Sequence, residues 1–262
     1  CCREREIKDV TITVWGDDGR ECSPFAVLPA LFYCAEKYLY QTGDGNIKKK
    51  FFDVFGIKFE TFMNLDLPNE IKDQRGCNNP SRWGLYNDPF AGRFDYHIEA
   101  GDGEEFRSQA LKLKRAAKSA GDFDYIFDAL SDLCRVLEFK YDLGVKTRAA
   151  YLGHKKKELT AIADEVYPEL IKRLKKFIAS FKALWNKDNK PFGLELHEMR
   201  LGGLLLRLES CREVLKDYLA GKTDKIEELE APVIKFASEF EKTANLCVQC
   251  HIATVTVANM NL

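Results

Sequence analysis

The segment from residue 10 to residue 15 predicts a β-strand, and it restricts the fold more than any other feature. Mostly β-branched residues alternate there with a period of two, with Val10, Ile12 and Val14 on one face and Thr11, Thr13 and Trp15 on the other. A parallel strand needs neighbours, because its backbone N–H and C=O groups have no partners within the strand. No neighbouring strand is evident in the sequence that follows, so we expect the remaining strands to lie upstream of this chain.

A short acidic loop and a helix follow the strand. The loop carries three carboxylates, those of Asp17, Asp18 and Glu21. Ser23 and Pro24 predict a helix start, since serine serves as an N-cap and proline suits the first helical position. In parallel α/β sheets and barrels such loops bind ligands, and the ring of Trp15 beside carboxylates suits a sugar. The alternative is a tryptophan that closes the end of a core beside solvated acids.

Five segments then carry a family resemblance: residues 13–23, 25–31, 80–90, 190–193 and 200–203. They resemble family 20 glycoside hydrolases, the β-N-acetylhexosaminidases, and most closely the bacterial branch in which a long helical domain follows the barrel. The first segment resembles the eighth strand of that (β/α)8 TIM barrel. The resemblance therefore implies a mainly α chain, with a C-terminal helical domain preceded by the last βα unit of a barrel whose other parts are missing here.

The resemblance implies an activity as well. Family 20 enzymes remove terminal N-acetylglucosamine or N-acetylgalactosamine from glycans by retaining hydrolysis, in which the acetamido oxygen of the substrate attacks the anomeric carbon. An adjacent Asp-Glu pair on the fourth barrel strand orients the acetamide and protonates the leaving group. The only adjacent Asp-Glu here, Asp164-Glu165, lies within a helical pattern. We therefore expect no catalytic residue in this chain and no hydrolysis by the chain alone.

By the same resemblance, the loop after the strand supplies the sugar-binding end of the site. Family members commonly carry Trp-Gly-Glu there, whereas this chain carries Trp15-Gly16-Asp17, one methylene shorter. Trp15 would then form the floor of the pocket, and Asp17 would accept hydrogen bonds from sugar hydroxyls. Asp18 and Glu21, the other two candidate substrate-binding residues, have no certain counterpart and could instead cap the next helix. A different class of function, a helical protein-interaction module without a catalytic role, stays open.

Apolar residues at steps of three and four predict a helical domain over residues 103–262. Three helices should bury these residues: first Ile126, Leu130, Leu133 and Leu137; then Ile162, Val166, Leu170, Leu174, Phe177, Phe181 and Leu184; and last Leu201, Leu204, Leu205, Leu208, Leu215 and Leu219. Pro168 predicts a kink in the second. Gly202 and Gly203 weaken the third helix, which suggests that a neighbouring backbone packs closely against them.

The chain before residue 103 is divided at a turn cluster near residue 42. Residues 1–41 are expected to end the barrel domain, and residues 42–102 to form an irregular connection with short helices. The phenylalanines between residues 48 and 63 favour core packing over nucleic-acid binding. Trp83, Tyr86 and Asp88 either reach the sugar pocket or anchor this connection to the core.

Charge and cysteine content limit the partners and the compartment. With 40 basic and 41 acidic residues the net charge is −1, which argues against nucleic acid and acidic membranes as partners. The nine cysteines, an odd number, are scattered along the chain, which predicts a protein of the reducing cytoplasm. Cys34, Cys134 and Cys211 are expected to be small buried residues. Cys247-Val-Gln-Cys250-His251 matches a haem-attachment signature and half a zinc site, but we expect ordinary cysteines and no cofactor or metal. The expected partner is a glycan ending in N-acetylhexosamine, and a homodimer stays open.

Overall fold

The computed structural model of the chain describes residues 9–14, 21–71 and 79–233, together with Arg5 and Ile7. These residues are mainly helical, as predicted. The α-helices are α1 (Leu28–Tyr40), α2 (Asp44–Phe55), α3 (Phe59–Met63), α4 (Pro80–Tyr86), α5 (Glu105–Ala117), α6 (Asp124–Lys140), α7 (Leu143–Leu152), α8 (Lys156–Ala161), α9 (Tyr167–Asp188), α10 (Leu194–Leu219) and α11 (Glu227–Glu230). Short 3-10 helices span Pro24–Val27, Asn64–Asn69, Asp95–His97, Asp102–Glu104 and Gly121–Phe123, and a π-helix spans Ile162–Val166.

The predicted strand is not formed within the described residues, which contain no β-strand at all. Residues 10–14 have no regular secondary structure, and Val10, Ile12 and Val14 are 43, 49 and 51% exposed. Strand structure exists only through hydrogen bonds to a neighbouring strand, and the described part of the chain offers no such neighbour. Residue 15, the last of the predicted strand, lies outside the described residues.

The helix after the acidic loop begins where the sequence predicts. The side-chain oxygen of Ser23 accepts a hydrogen bond from the backbone N–H of Phe25 at 3.2 Å, as an N-cap does. The first turn is a 3-10 helix, and the α-helix begins only at Leu28. Because Pro29 has no N–H group, an α-helix that began at Pro24 would lack one of its first hydrogen bonds.

The core is built by α5, α6, α9 and α10, together with α4 and the segments before it. The predicted face of α9 is confirmed, since Leu170, Leu174, Phe177, Phe181 and Leu184 are all buried. On α10, Leu201, Leu204, Leu208 and Leu215 are buried, whereas Leu205 and Leu219 are half-buried. On α6, Ile126 and Leu137 are buried, whereas Leu130 and Leu133 are half-buried beside the buried Cys134 and Val136. The kink predicted at Pro168 lies near a change of helix type, since a π-helix, Ile162–Val166, directly precedes α9, and Pro168 is in the first turn of α9.

Residues 42–71 and 79–102 pack into this same core. Phe51 and Phe62 are fully buried and Phe55 and Phe59 are half-buried against the core, so the core interpretation is confirmed for these four. Phe52, by contrast, is 48% exposed. Trp83 is 7% exposed and stacks on Phe94, with ring centroids 4.3 Å apart. The connection, predicted as irregular with short helices, contains α4, which is almost wholly buried.

A buried lysine fixes this connection to α6. Lys140, at the end of α6, is 2% exposed and donates to the backbone carbonyls of Gly84, at 3.3 Å, and Asn87. These carbonyls lie at the C-terminus of α4, where the helix leaves acceptors unpaired and favours a positive charge. Burial lowers the pKa of Lys140 to about 8. Burial likewise raises the pKa of Asp95 to about 6, although the side-chain amide of Asn87 donates to its carboxylate at 2.8 Å.

Two expectations about small residues are wrong. No heavy atom lies within 4 Å of a Cβ built on Gly202 or Gly203, so no neighbouring backbone packs against them among the described residues. Cys34 is exposed, because α1 buries only Pro29 and Glu36. Cys134 and Cys211 are buried as expected.

Glycine contacts provide a matched test of the fold. A Cβ at Gly84 would lie 2.2 Å from Cδ2 of Tyr141, whose buried ring also contacts Phe106. We expect Gly84→Ala to lower the free energy of unfolding by about 1–3 kcal/mol through overpacking. Gly203→Ala should raise it by about 0.5–1 kcal/mol, because its site is open and alanine favours the helix. Urea unfolding measures both, and equal stability of the Gly84→Ala variant and the parent would contradict the packing described.

Candidate functional site

Of the four predicted substrate-binding residues, only Glu21 lies among the described residues. Trp15, Asp17 and Asp18 lie outside them, as does the Cys247–His251 motif. The carboxylate of Glu21 faces the helical domain. It belongs to a group of side chains, called here the Glu21 cluster, that consists of Glu21, Arg82, Tyr86, His197 and Arg200.

Charged and hydroxyl donors surround the Glu21 carboxylate. Nε of Arg82 lies 2.9 Å from Oε2, and Nη1 of Arg200 lies 3.3 Å from Oε1. The hydroxyl of Tyr86 donates to Oε1 at 2.9 Å. Nδ1 of His197 lies 3.9 Å from the same oxygen. The contacts of Glu21 thus bridge α4 and α10 with a residue only six positions beyond Trp15.

Helix geometry brings these side chains together. Arg82 and Tyr86 are four residues apart on α4, and His197 and Arg200 are three apart on α10, so each pair shares one face of its helix. Proline at the first turn of α4 sets where that helix begins. Glu21 lies two residues before Ser23, which caps the 3-10 helix Pro24–Val27. The start of that helix therefore limits where the backbone of Glu21 can lie.

Aromatic packing positions His197 within α10. Its ring is 1% exposed and lies between Phe181 and Trp185, with centroid distances of 5.1 and 4.9 Å. The indole N–H of Trp185 donates to the carbonyl of Lys190 at 2.9 Å. Gly193 has φ +97° and would place a Cβ 3.1 Å from the same indole, so glycine is required both for the backbone angle and for the close approach.

The Glu21 cluster is largely withdrawn from water. The side chains of Arg82 and Arg200 are each 12% exposed, and that of Glu21 is 21% exposed. Burial, and next the Glu21 carboxylate, raise the pKa of Tyr86 well above its usual value, so the phenol stays protonated and donates its hydrogen bond. A carboxylate that is paired with two arginines and accepts hydrogen bonds from Arg200 and Tyr86 is suited to hold the backbone of its loop in place.

The sequence interpretation did not identify Arg82, His197 or Arg200 as members of a site. The available signal was that residues 80–90 and 200–203 resemble the same family as the strand and its loop. The sequence also left two interpretations open for Trp83 and Asp88. Both side chains are buried in the structure. Asp88 is 3% exposed and forms two hydrogen bonds with Arg207, at 2.7 and 3.0 Å. Their burial supports the interpretation that both residues anchor this connection to the core.

Other potential chemistry is sparse in the described residues. Asp164 and Glu165 are exposed on the π-helix before α9. Within the described ranges, no group of three or more His, Cys, Asp or Glu side chains could hold a metal ion. None of the helices that the structure describes is long and apolar enough to cross a membrane.

Removal of the charge on Glu21 tests the cluster. We expect Glu21→Gln to lower the free energy of unfolding by about 2–3 kcal/mol, since two largely buried guanidinium groups lose their counter-ion. The matched control is Lys182→Met, which removes an ion pair with Glu198 whose side chains are 44 and 46% exposed. That change should cost less than about 1 kcal/mol. Equal unfolding midpoints for the two variants would show that the Glu21 contacts contribute nothing beyond a surface pair.

Comparison with known proteins identifies the helical part of the chain. A family model described as the Glycoside Hydrolase 20C C-terminal domain matches residues 58–248, which is well over half of the chain. A search of curated proteins found no match. The matched range includes Arg82, Tyr86, His197 and Arg200, so four of the five members of the Glu21 cluster belong to it. The chain therefore belongs to the family of glycoside hydrolase 20C C-terminal domains, and its resemblance to the family 20 glycoside hydrolases is confirmed.

Proposed function

We propose that this chain is the C-terminal part of a family 20 β-N-acetylhexosaminidase. The enzyme would remove terminal N-acetylglucosamine or N-acetylgalactosamine from glycans by retaining, substrate-assisted hydrolysis. The observation that carries the proposal is the family match together with the Glu21 contacts. The matched domain binds, through Arg82, Tyr86 and Arg200, a residue at the end of the loop in which the sugar site is predicted.

Residues 1–41 would be the last βα unit of the catalytic barrel. The exposure of this part supports the assignment. α1 is rich in apolar residues, yet it buries only Pro29 and Glu36, and Leu39 and Tyr40 are 61 and 67% exposed. Apolar helix surface of this kind needs a covering layer. We propose that the other strands and helices of the barrel supply it, and that residues 42–102 connect this unit to the helical domain over residues 103–262.

Within the site, this chain would bind and orient the sugar. Trp15 would cover the apolar face of the terminal N-acetylhexosamine, and Asp17, with Asp18 as a second candidate, would accept hydrogen bonds from its hydroxyls. Glu21 remains a candidate for sugar contact, and its contacts with α4 and α10 support a role in fixing the loop. The acetamido oxygen of the substrate would attack the anomeric carbon, while the acetamide-orienting Asp and the acid Glu come from another part of the complete enzyme.

The proposal also includes the cellular compartment and the oligomeric state of the enzyme. Three cysteines among the described residues carry free thiols, namely Cys34, Cys134 and Cys211. Free thiols on both exposed and buried positions are usual in a reducing compartment, so we propose a cytoplasmic enzyme. A homodimer is compatible with it, and the substrate would be a glycan that ends in N-acetylhexosamine.

Kinetics of the complete enzyme test the assignment of the pocket. We expect Trp15→Ala to lower kcat/KM by orders of magnitude, since loss of the aromatic wall costs about 1–3 kcal/mol in binding and also misaligns the acetamide. Asp17→Asn should cost less, because an amide still accepts one hydrogen bond. Phe52→Ala, at an aromatic residue 48% exposed on α2, is the control and should leave kcat/KM unchanged.

The chain alone gives a second readout of the same proposal. It should not hydrolyse aryl N-acetylhexosaminides, because the catalytic Asp-Glu pair is not within it. Turnover by this chain that a single substitution abolished would place the catalytic centre here and contradict the proposal. Normal kinetics of a folded Trp15→Ala enzyme would require a sugar pocket built from other residues.

A further inference from the structure

A single carboxyl group is enclosed between the connection of residues 42–102 and α7. Asp95 is 7% exposed and begins the 3-10 helix Asp95–His97. A Cβ at Gly92 would lie 2.3 Å from Oδ1 of Asp95, and a Cβ at Gly144, on α7, would lie 3.1 and 3.2 Å from its two carboxyl oxygens. The backbone of two segments thus lies close against this carboxyl group, which leaves it little room to turn towards water.

The two oxygens of the Asp95 carboxyl group differ in their contacts. Oδ1 accepts a hydrogen bond from the side-chain amide of Asn87 at 2.8 Å. The oxygen of that amide accepts from the backbone N–H of Phe94 at 3.1 Å, which orients the amide towards Asp95. Oδ2 is buried and has no hydrogen-bond donor among the described residues. A carboxylate with one neutral donor is costly to bury, whereas a neutral carboxylic acid costs much less.

Two cations lie near Asp95, but their hydrogen bonds go to other acceptors. Lys140 on α6 donates to two backbone carbonyls at the C-terminal end of α4. Arg148 on α7 donates to four backbone carbonyls, in the connection and in or next to α11. Burial outweighs the Asn87 hydrogen bond and both positive charges, and raises the pKa of Asp95 to about 6; the negative charge of Asp88 adds to this effect.

Asp88 is a second buried aspartate in the same segment and provides the contrast. It is 3% exposed and accepts two hydrogen bonds from Arg207, at 2.7 and 3.0 Å. The backbone N–H groups of Phe90 and Ala91 also donate to it, both at 2.9 Å. Although burial opposes its charge, these donors hold the pKa of Asp88 below its usual value. Asp88 is therefore held as an anion by its donors, which Asp95 lacks among the described residues.

We propose that Asp95 is a proton-dependent latch. As a neutral acid it holds residues 87–98 against α6 and α7, and its ionisation loosens this segment together with the C-terminal end of α4. The loosening acts through Lys140, whose ammonium group is attracted to an ionised Asp95 and drawn away from the carbonyls of α4. α4 is also the helix that carries Arg82 and Tyr86 of the Glu21 cluster.

Asp95 makes the folded chain less stable as the pH rises. The usual pKa of its carboxyl group is 3.8, whereas the folded chain raises that pKa to about 6. Between these two pH values the unfolded state binds fewer protons than the folded state, so the stability that this group contributes falls as the pH rises. The lowered pKa of Asp88 has the opposite sign, since its contribution is present at neutral pH and is lost as the pH falls.

Urea unfolding of the full chain at about pH 4.5 and about pH 7.5 tests the latch. Asp95→Asn introduces a neutral amide of similar size whose oxygen can still accept from Asn87. Relative to this variant, the folding equilibrium constant of the parent should fall by about tenfold or more between the two pH values. Asp88→Asn is the matched control with the reverse trend, because its loss of stability relative to the parent should be larger at the higher pH.

Two measurements on the parent chain do not depend on the folding of any variant. Carbon-13 NMR of the aspartate carboxyl groups should give Asp95 a titration midpoint of about 6. Hydrogen exchange, corrected for the intrinsic effect of pH, should show that residues 87–98 lose protection between the lower and the higher pH, while α5 and α9 keep theirs.

A midpoint for Asp95 at or below the usual 3.8 would overturn the proposal. So would stabilities of the parent and the Asp95→Asn variant that change with pH in parallel. A midpoint of about 6 combined with unchanged protection of residues 87–98 would also overturn it, because ionisation would then loosen nothing.

Discussion

The carboxylate of Glu21 joins the end of the acidic loop to α4 and α10 through buried charged contacts. It combines two guanidinium groups and a phenol from α4 and α10 around one loop residue. Because Arg82 and Arg200 are largely buried, each depends on this counter-charge far more than an exposed pair would. The contact joins the helical domain to the end of the loop in which the sugar site is predicted, although that domain lies far along the chain from this loop.

The two parts of the molecule differ in how completely they bury their apolar surface. Between α4 and α11 the core is closed, and it includes buried charged residues that are hydrogen-bonded, as with Lys140 on the carbonyls of α4 and Asp88 on Arg207. Residues 10–14 and α1 lack this closure, since several of their apolar side chains, among them Val10, Leu39 and Tyr40, remain exposed. A βα unit cannot form a core by itself, because its strand needs hydrogen-bonding neighbours and its helix needs a sheet.

The sequence predicted those features that depend on local periodicity. The buried face of α9 and the Ser23 cap follow from spacing and residue type alone. Features that depend on distant neighbours were missed: the open surface at Gly202 and Gly203, the exposure of Cys34, and the approach of Arg82 and Arg200 to Glu21. An arginine on a helix has the same local pattern whether it meets solvent or a carboxylate 61 or 179 positions away. Only the packing of α4 against the core and the course of α10 decide between these environments.

The most direct test of the account is hydrogen exchange at the amides of residues 10–14, measured in this chain and in the complete enzyme. The account predicts that these amides exchange at nearly the unfolded rate in this chain, whereas those of α6 exchange slowly. In the complete enzyme, with the neighbouring strands present, the same amides should become as protected as α6. Protection of residues 10–14 equal to that of α6 in this chain, or exchange at the unfolded rate in the complete enzyme, would contradict the assignment of this segment as a barrel strand.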